Sequence, residues 1–134
     1  MDLLEIFESM DYGPAPESPE AVYAWLDEHG RKFGLFINNS WSTPDKAEYY
    51  PSYNPATGEK LAETTQAGQK DVDDAVSAAR QAFDSWSATP GVDRARYLYA
   101  IARNIQRHHR LLAVLESMDN GKPIRESRDI DAVS

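Results

Sequence analysis

Tyr50-Pro51-Ser52-Tyr53-Asn54-Pro55-Ala56-Thr57-Gly58-Glu59-Lys60 is the stretch at which the pattern of this sequence changes. Pro55 fixes its own backbone, and Gly58 can take the positive φ that other residues resist, so Asn54 to Gly58 predicts a turn. Glu48 to Tyr53 alternates as a strand does, and Lys60 to Ala67 predicts the strand that leaves the turn. Upstream of this unit the chain is acidic and then strand-rich. Downstream it becomes a run of amphipathic helices.

Residues 1–30 hold eight carboxylates and neither lysine nor arginine, an acidic arm whose charges predict a solvated face. Leu3, Ile6, Phe7 and Met10 recur at helical spacing, and Gly13-Pro14-Ala15-Pro16 ends that segment. Ser18-Pro19 predicts an N-cap with proline at N1. Ala21, Val22, Trp25 and Leu26 then predict the buried face of a second helix. His29, before Gly30, stands where a helix C-terminus favours an imidazole. Next, Leu35 to Ile37 and Ser40 to Ser42 predict two strands joined by a tight turn at Asn38-Asn39. The sequon formed by Asn38, Asn39 and Ser40 is read as coincidence, and Thr43 to Ala47 as a polar loop.

Past the turn, Val72, Ala75, Val76, Ala79, Phe83 and Trp86 share one side of a predicted helix, opposite Asp73, Asp74, Arg80 and Asp84. Gly68 is its expected N-cap, with Asp71 at N3 near the positive end of the helix dipole. Thr89-Pro90 repeats the cap-then-proline device. Leu98, Ile101, Ala102 and Ile105 mark a second apolar stripe, and Leu111, Leu112, Leu115 and Met118 a third, with a break expected between Arg107 and His109. Asn120-Gly121 predicts a left-handed C-cap, and Pro123 stops the helix. Asp129 to Ser134 predicts the opening of a further element.

Composition narrows the function. With 134 residues, 41% of them hydrophobic, the chain suffices for one domain with a core. A net charge of −8 argues against a nucleic-acid backbone as partner. No apolar run approaches the ~20 residues of a membrane span, and the N-terminus lacks the basic region of a secretory signal, so a cytoplasmic location is expected. The absence of cysteine removes disulfides and thiolate chemistry from this stretch. Neighbouring residues on a helix diverge by roughly 100°, so His108 and His109 cannot both address one metal. Trp25, Trp41 and Trp86 are read as core anchors. The residues alone therefore predict an α/β piece without a complete catalytic set.

The order of the pieces carries more than each piece alone. Leu35-Phe36-Ile37-Asn38-Asn39-Ser40-Trp41, Tyr53-Asn54-Pro55-Ala56-Thr57-Gly58-Glu59, Asp71-Val72-Asp73-Asp74-Ala75-Val76 with Ala78 to Phe83 and Trp86, Arg94 to Leu98, and Met118-Asp119-Asn120-Gly121-Lys122-Pro123 follow in sequence. Together they resemble the N-terminal region of the aldehyde dehydrogenase superfamily over residues 35–134. The arm, with Ile6-Phe7-Glu8-Ser9, Tyr12-Gly13-Pro14 and Ala24-Trp25-Leu26-Asp27, is similar to the extension of the family 16 branch.

This resemblance implies the first part of a Rossmann-type coenzyme domain: an early β-hairpin and strands, then amphipathic helices, preceded by the arm at 1–34. It implies a parent enzyme that oxidises an aldehyde to a carboxylic acid with NAD or NADP, and that forms homo-oligomers. In such enzymes a cysteine thiolate attacks the carbonyl and a glutamate activates water for deacylation. Both would lie downstream, so no catalytic or coenzyme-binding residue is assigned in this segment. Family members often hold a monovalent cation, Na+ or K+, and the matching positions are the carbonyls of Ser52 and Tyr53 with Asp131; Asp131 as a simple helix cap is the alternative. A different class of function also stays open, a non-catalytic module that docks through its acidic arm. A downstream cysteine and glutamate would decide for the enzyme.

Overall fold

The structure is a computed structural model that describes residues 17–44 and 46–131. The expected helix over Leu3 to Met10 and the residues after Asp131 lie outside the described residues. In chain order the elements are α1 (Glu20–Glu28), β1 (Lys32–Phe33), β2 (Leu35–Ile37), β3 (Ser40–Ser42), β4 (Tyr49–Tyr53), β5 (Lys60–Thr65), α2 (Gln69–Ala88), α3 (Gly91–Arg107) and α4 (His109–Asn120). A single turn, α5 (Ile124–Glu126), then passes into a π-helical turn over Ser127–Asp131.

Three strands form one sheet in the order β1-β5-β4, and β2-β3 stand apart as a two-stranded ribbon. Asn38 and Asn39 join the ribbon with φ of 50° and 61°, the pair of left-handed conformations that a tight hairpin turn needs. Strand β4 runs antiparallel to β5, and β1 parallel to it with Lys32 opposite Glu63 and Phe33 opposite Thr64. No local pattern announces β1. Its two residues become a strand here only because β5, far along the chain, offers them an edge.

The core lies between α1, β5 and α4. Val22, Leu26, Leu61, Ala62, Val114 and Met118 form one buried cluster, with Tyr23, Trp25, Phe33, Leu111, Leu115 and Ile124 packed around it. Residues of the acidic arm and of the helical half thus share one interior. On α1, Val22 and Leu26 are buried as expected, whereas Ala21 is exposed. It falls on the solvent side of a nine-residue helix whose contact face is narrow.

Helix ends follow their chemistry with small shifts. Pro19 and Pro90 occupy the N-cap positions themselves rather than N1, and the Glu20 N–H donates to Ser18 Oγ at 3.3 Å. His29 caps α1, its Nδ1 lying 2.8 Å from the Trp25 carbonyl. The Gly68 N–H donates to Asp71 Oδ2 at 2.9 Å, closing the start of α2. His108 is the residue at which α3 ends, and His109 Nε2 donates to the Arg128 carbonyl at 2.7 Å. The new element expected from Asp129 opens earlier, at Ile124, directly behind Pro123.

The apolar sides of α2 and α3 stand open in this segment. The apolar side of α2 is not covered: Val72 and Val76 are exposed, Phe83 is 64% exposed and Trp86 43%. On α3, Leu98, Ile101 and Ile105 are exposed as well. Trp25 packs on the core as expected, but Trp41 is 69% exposed, and Trp86 lies tilted against Tyr97 at 5.8 Å between ring centroids. Periodicity identifies which side of a helix is apolar, and it carries no information about what lies against that side.

Candidate functional site

The turn that organises the sequence is also the centre of the most constrained region. Asn54 is buried, its N–H donates to the Glu59 carbonyl at 2.8 Å, and its carbonyl accepts the Gly58 N–H at 2.7 Å. Its side chain completes an Asx turn, Oδ1 accepting the Ala56 N–H at 2.9 Å. Gly58 takes a φ of 74°, as the turn demands.

Gly121 meets this turn across the fold. It closes α4 with a φ of 76°, and a Cβ placed on it would come within 2.9 Å of Pro55 Cγ. The Asn-Pro turn and the Asn-Gly-Lys-Pro cap are therefore one packed unit, although they lie far apart in the chain. Sequence inspection finds the cap but not this contact, because the clearance required is a property of the packed pair. Gly30 also has a positive φ, 65°, yet has nothing within 4 Å. We expect Gly30→Ala to cost only the left-handed backbone strain, about 1 kcal/mol, and Gly121→Ala about 2 to 4 kcal/mol because the proline ring must also shift. Chemical denaturation of the parent carrying each substitution checks the order; equal costs would mean that the Pro55 contact contributes nothing.

Ser52 and Tyr53 lie at the end of β4, where the register slips. Ser52 faces Ala62 while Tyr53 faces Lys60, leaving Leu61 as the extra residue on β5. A bulge of this kind interrupts the ladder locally. The Ser52 hydroxyl donates to Asp119 Oδ1 on α4. The π-helical turn that ends at Asp131 docks on the same helix, through a 3.1 Å bond from Ser117 Oγ to the buried Ser127 Oγ. Thus α4 is the common support for the strand bearing Ser52 and Tyr53 and for the turn bearing Asp131, whose side chain lies outside the described residues. Among the described residues no cluster of three or more His, Asp or Glu side chains could hold a metal.

Beside this unit lies an open cleft of about 500 Å³, walled by Trp25, Leu26, Phe33, Leu61, Leu112 and Leu115. Ser52, Thr64, Glu116 and Asp119 edge it. Its walls are apolar, and its hydroxyls are already engaged, Ser52 by a carboxylate and Thr64 by the Tyr50 carbonyl. The cleft can receive packing but offers no activated nucleophile. The strand-to-helix passage from β5 into α2 is the place where a dinucleotide phosphate would be sought. There Asp71 already brings a carboxylate to the first turn of the helix. The described residues thus do not fit a coenzyme cradle by themselves, and no chemical step is assigned to them. No described helix is long and apolar enough to cross a membrane.

The order of these elements and the motifs on them has a counterpart among known proteins. The sequence profile described as Aldehyde dehydrogenase family matches residues 41–133. The chain belongs to the aldehyde dehydrogenase family. It is 40% identical over 118 residues to aldehyde dehydrogenase B of Escherichia coli (strain K12), which is 88% of this chain and 23% of that protein. It is also similar to the crystal structure of HpcC from Thermus thermophilus, with a TM-score of 0.78 and 37% identity over 85% of this chain and 22% of that one. For the NAD+ complex of aldehyde dehydrogenase from Bacillus cereus the TM-score is 0.75 at 35% identity, covering 92% of this chain and 24% of that one. The strands and helices match the N-terminal part of the family's NAD-binding domain fold. The chain spans about a quarter of the length of such relatives.

Proposed function

We propose that this segment is scaffold for a parent enzyme that oxidises aldehydes to carboxylic acids with NAD or NADP. The observation that carries the proposal is the family match across residues 41–133, joined to a site whose Ser52 hydroxyl and Asp71 carboxylate are both engaged within the fold. The NAD+ complex of the Bacillus cereus relative supports a nicotinamide coenzyme, held mainly by residues outside this segment. We place the chain in the family 16 branch on the strength of its acidic arm, with residues 1–34 as the extension and 35–134 as the shared domain. That division refers to ancestry, since α1 packs into the common core. A cytoplasmic homo-oligomer is the accompanying reading.

The experiment is an assay of the full-length parent with a panel of aldehydes and both coenzymes. Aldehyde-dependent reduction of NAD or NADP, lost when the downstream cysteine is replaced by alanine, is the expected result. A correctly folded parent without such activity would favour the interaction-module alternative.

The cation belongs to the same proposal. The strand that bears the Ser52 and Tyr53 carbonyls and the turn that bears Asp131 both rest on α4. Oxygen donors of this kind suit Na+ or K+. A crystal of the parent grown with potassium or rubidium should show an anomalous peak between these groups. A well-ordered map without one would remove the site.

A further inference from the structure

The acidic arm enters the described structure at Glu17, whose carboxylate meets a cation 111 residues away. Arg128 Nη1 donates to Glu17 Oε1 at 2.7 Å. The same guanidinium holds Asp129 by a fork, Nε to Oδ1 at 2.6 Å and Nη2 to Oδ2 at 2.9 Å. Both ends of the long pair are partly shielded, the Glu17 side chain being 20% exposed and that of Arg128 37%.

The backbone under Arg128 is fixed independently of these charges. His109 Nε2 donates to the Arg128 carbonyl at 2.7 Å, and the neighbouring Ser127 is fully buried with its hydroxyl bonded to Ser117. Both anchors rise from α4. Asp129 orients the guanidinium from one side, so its remaining nitrogen presents a placed donor to Glu17 rather than a freely moving one. A guanidinium held in this manner loses less conformational entropy on pairing than an isolated surface arginine does. Two carboxylates around it also raise its affinity for the proton further, so the charge is permanent.

We propose that Arg128 is the buckle of a strap: it clips the base of the acidic arm to the π-helical turn over Ser127–Asp131. Opening the buckle from either side loosens both ends, the start of α1 and the Ser127–Asp131 turn. A partner or ionic condition that competes for Glu17 would therefore be felt at that turn.

Hydrogen exchange on the full-length parent tests this with Glu17→Gln, Arg128→Gln and the double variant. Glu17→Gln keeps the size of a half-buried side chain ahead of α1 and is not expected to impair folding. It should accelerate exchange about three- to tenfold at amides 20–23 and also at 127–131. Arg128→Gln should do the same at both places, and the double variant should be no worse than Arg128→Gln alone. The proposal is overturned if Glu17→Gln leaves 127–131 unchanged, or if the two single effects add in the double variant.

Discussion

Expressed by itself, the 134-residue segment is expected to self-associate, to bind a hydrophobic dye and to melt without a sharp cooperative transition. The reason is the balance between a small core and two bare faces. Six residues form the buried apolar cluster, held between α1, β5 and α4. Against it stand Val72, Val76, Phe83 and Trp86 on α2, and Leu98, Ile101 and Ile105 on α3, all exposed. Helices of 20 and 17 residues therefore have apolar sides with no covering layer in this segment. Isolated helices depend on tertiary packing for most of their stability, and contiguous apolar surface of this kind drives association. Far-ultraviolet circular dichroism should show helix while near-ultraviolet signals from the tryptophans stay weak, the pattern of a loosely packed state. A monomeric segment with a single steep melt would contradict this and would require α2 and α3 to fold back on each other more closely than they do here.

How far the sequence foretold the structure depends on the range of the interactions involved. Turns were legible because their chemistry is local: Asn38-Asn39 and Asn54 to Gly58 each carry the residues that positive φ and an Asx bond require. Helix limits were legible to within a residue or two, as the Gly68, His108 and Gly121 caps show. Strand β1 was not, since Lys32 and Phe33 are extended only through pairing with β5. Nor was the Gly121 contact with Pro55, which exists only after the turn and the cap have packed. Residue type makes Trp41 and Trp86 candidates for core anchors, yet type sets a preference for burial and the partner must come from elsewhere. Of the candidate cation positions, Ser52 and Tyr53 fall at a register slip that alternation alone does not reveal. The Glu17 to Arg128 pair spans almost the whole chain and leaves no trace in any window of sequence.

Trp86→Ala should lower the stability of the parent by roughly 3 to 5 kcal/mol, the range for removing a large aromatic side chain from a packed interior. Within the segment the indole is only half covered, tilted at 56° against Tyr97 and 43% exposed. That contact alone is worth about 0.5 to 1.5 kcal/mol. The excess expected in the full-length protein therefore measures whatever layer covers α2 there. Asp84→Ala, just before it in the helix, serves as the control, because an exposed carboxylate there should change stability by less than about 0.5 kcal/mol. Chemical denaturation of both variants in the parent separates the outcomes. A loss of about 4 kcal/mol for Trp86 and almost none for Asp84 means that the apolar side of α2 faces the interior of the full-length protein. A loss below about 1 kcal/mol for Trp86 means that this side stays open to solvent in the assembled protein, and the scaffold role assigned to α2 would then have to be given up.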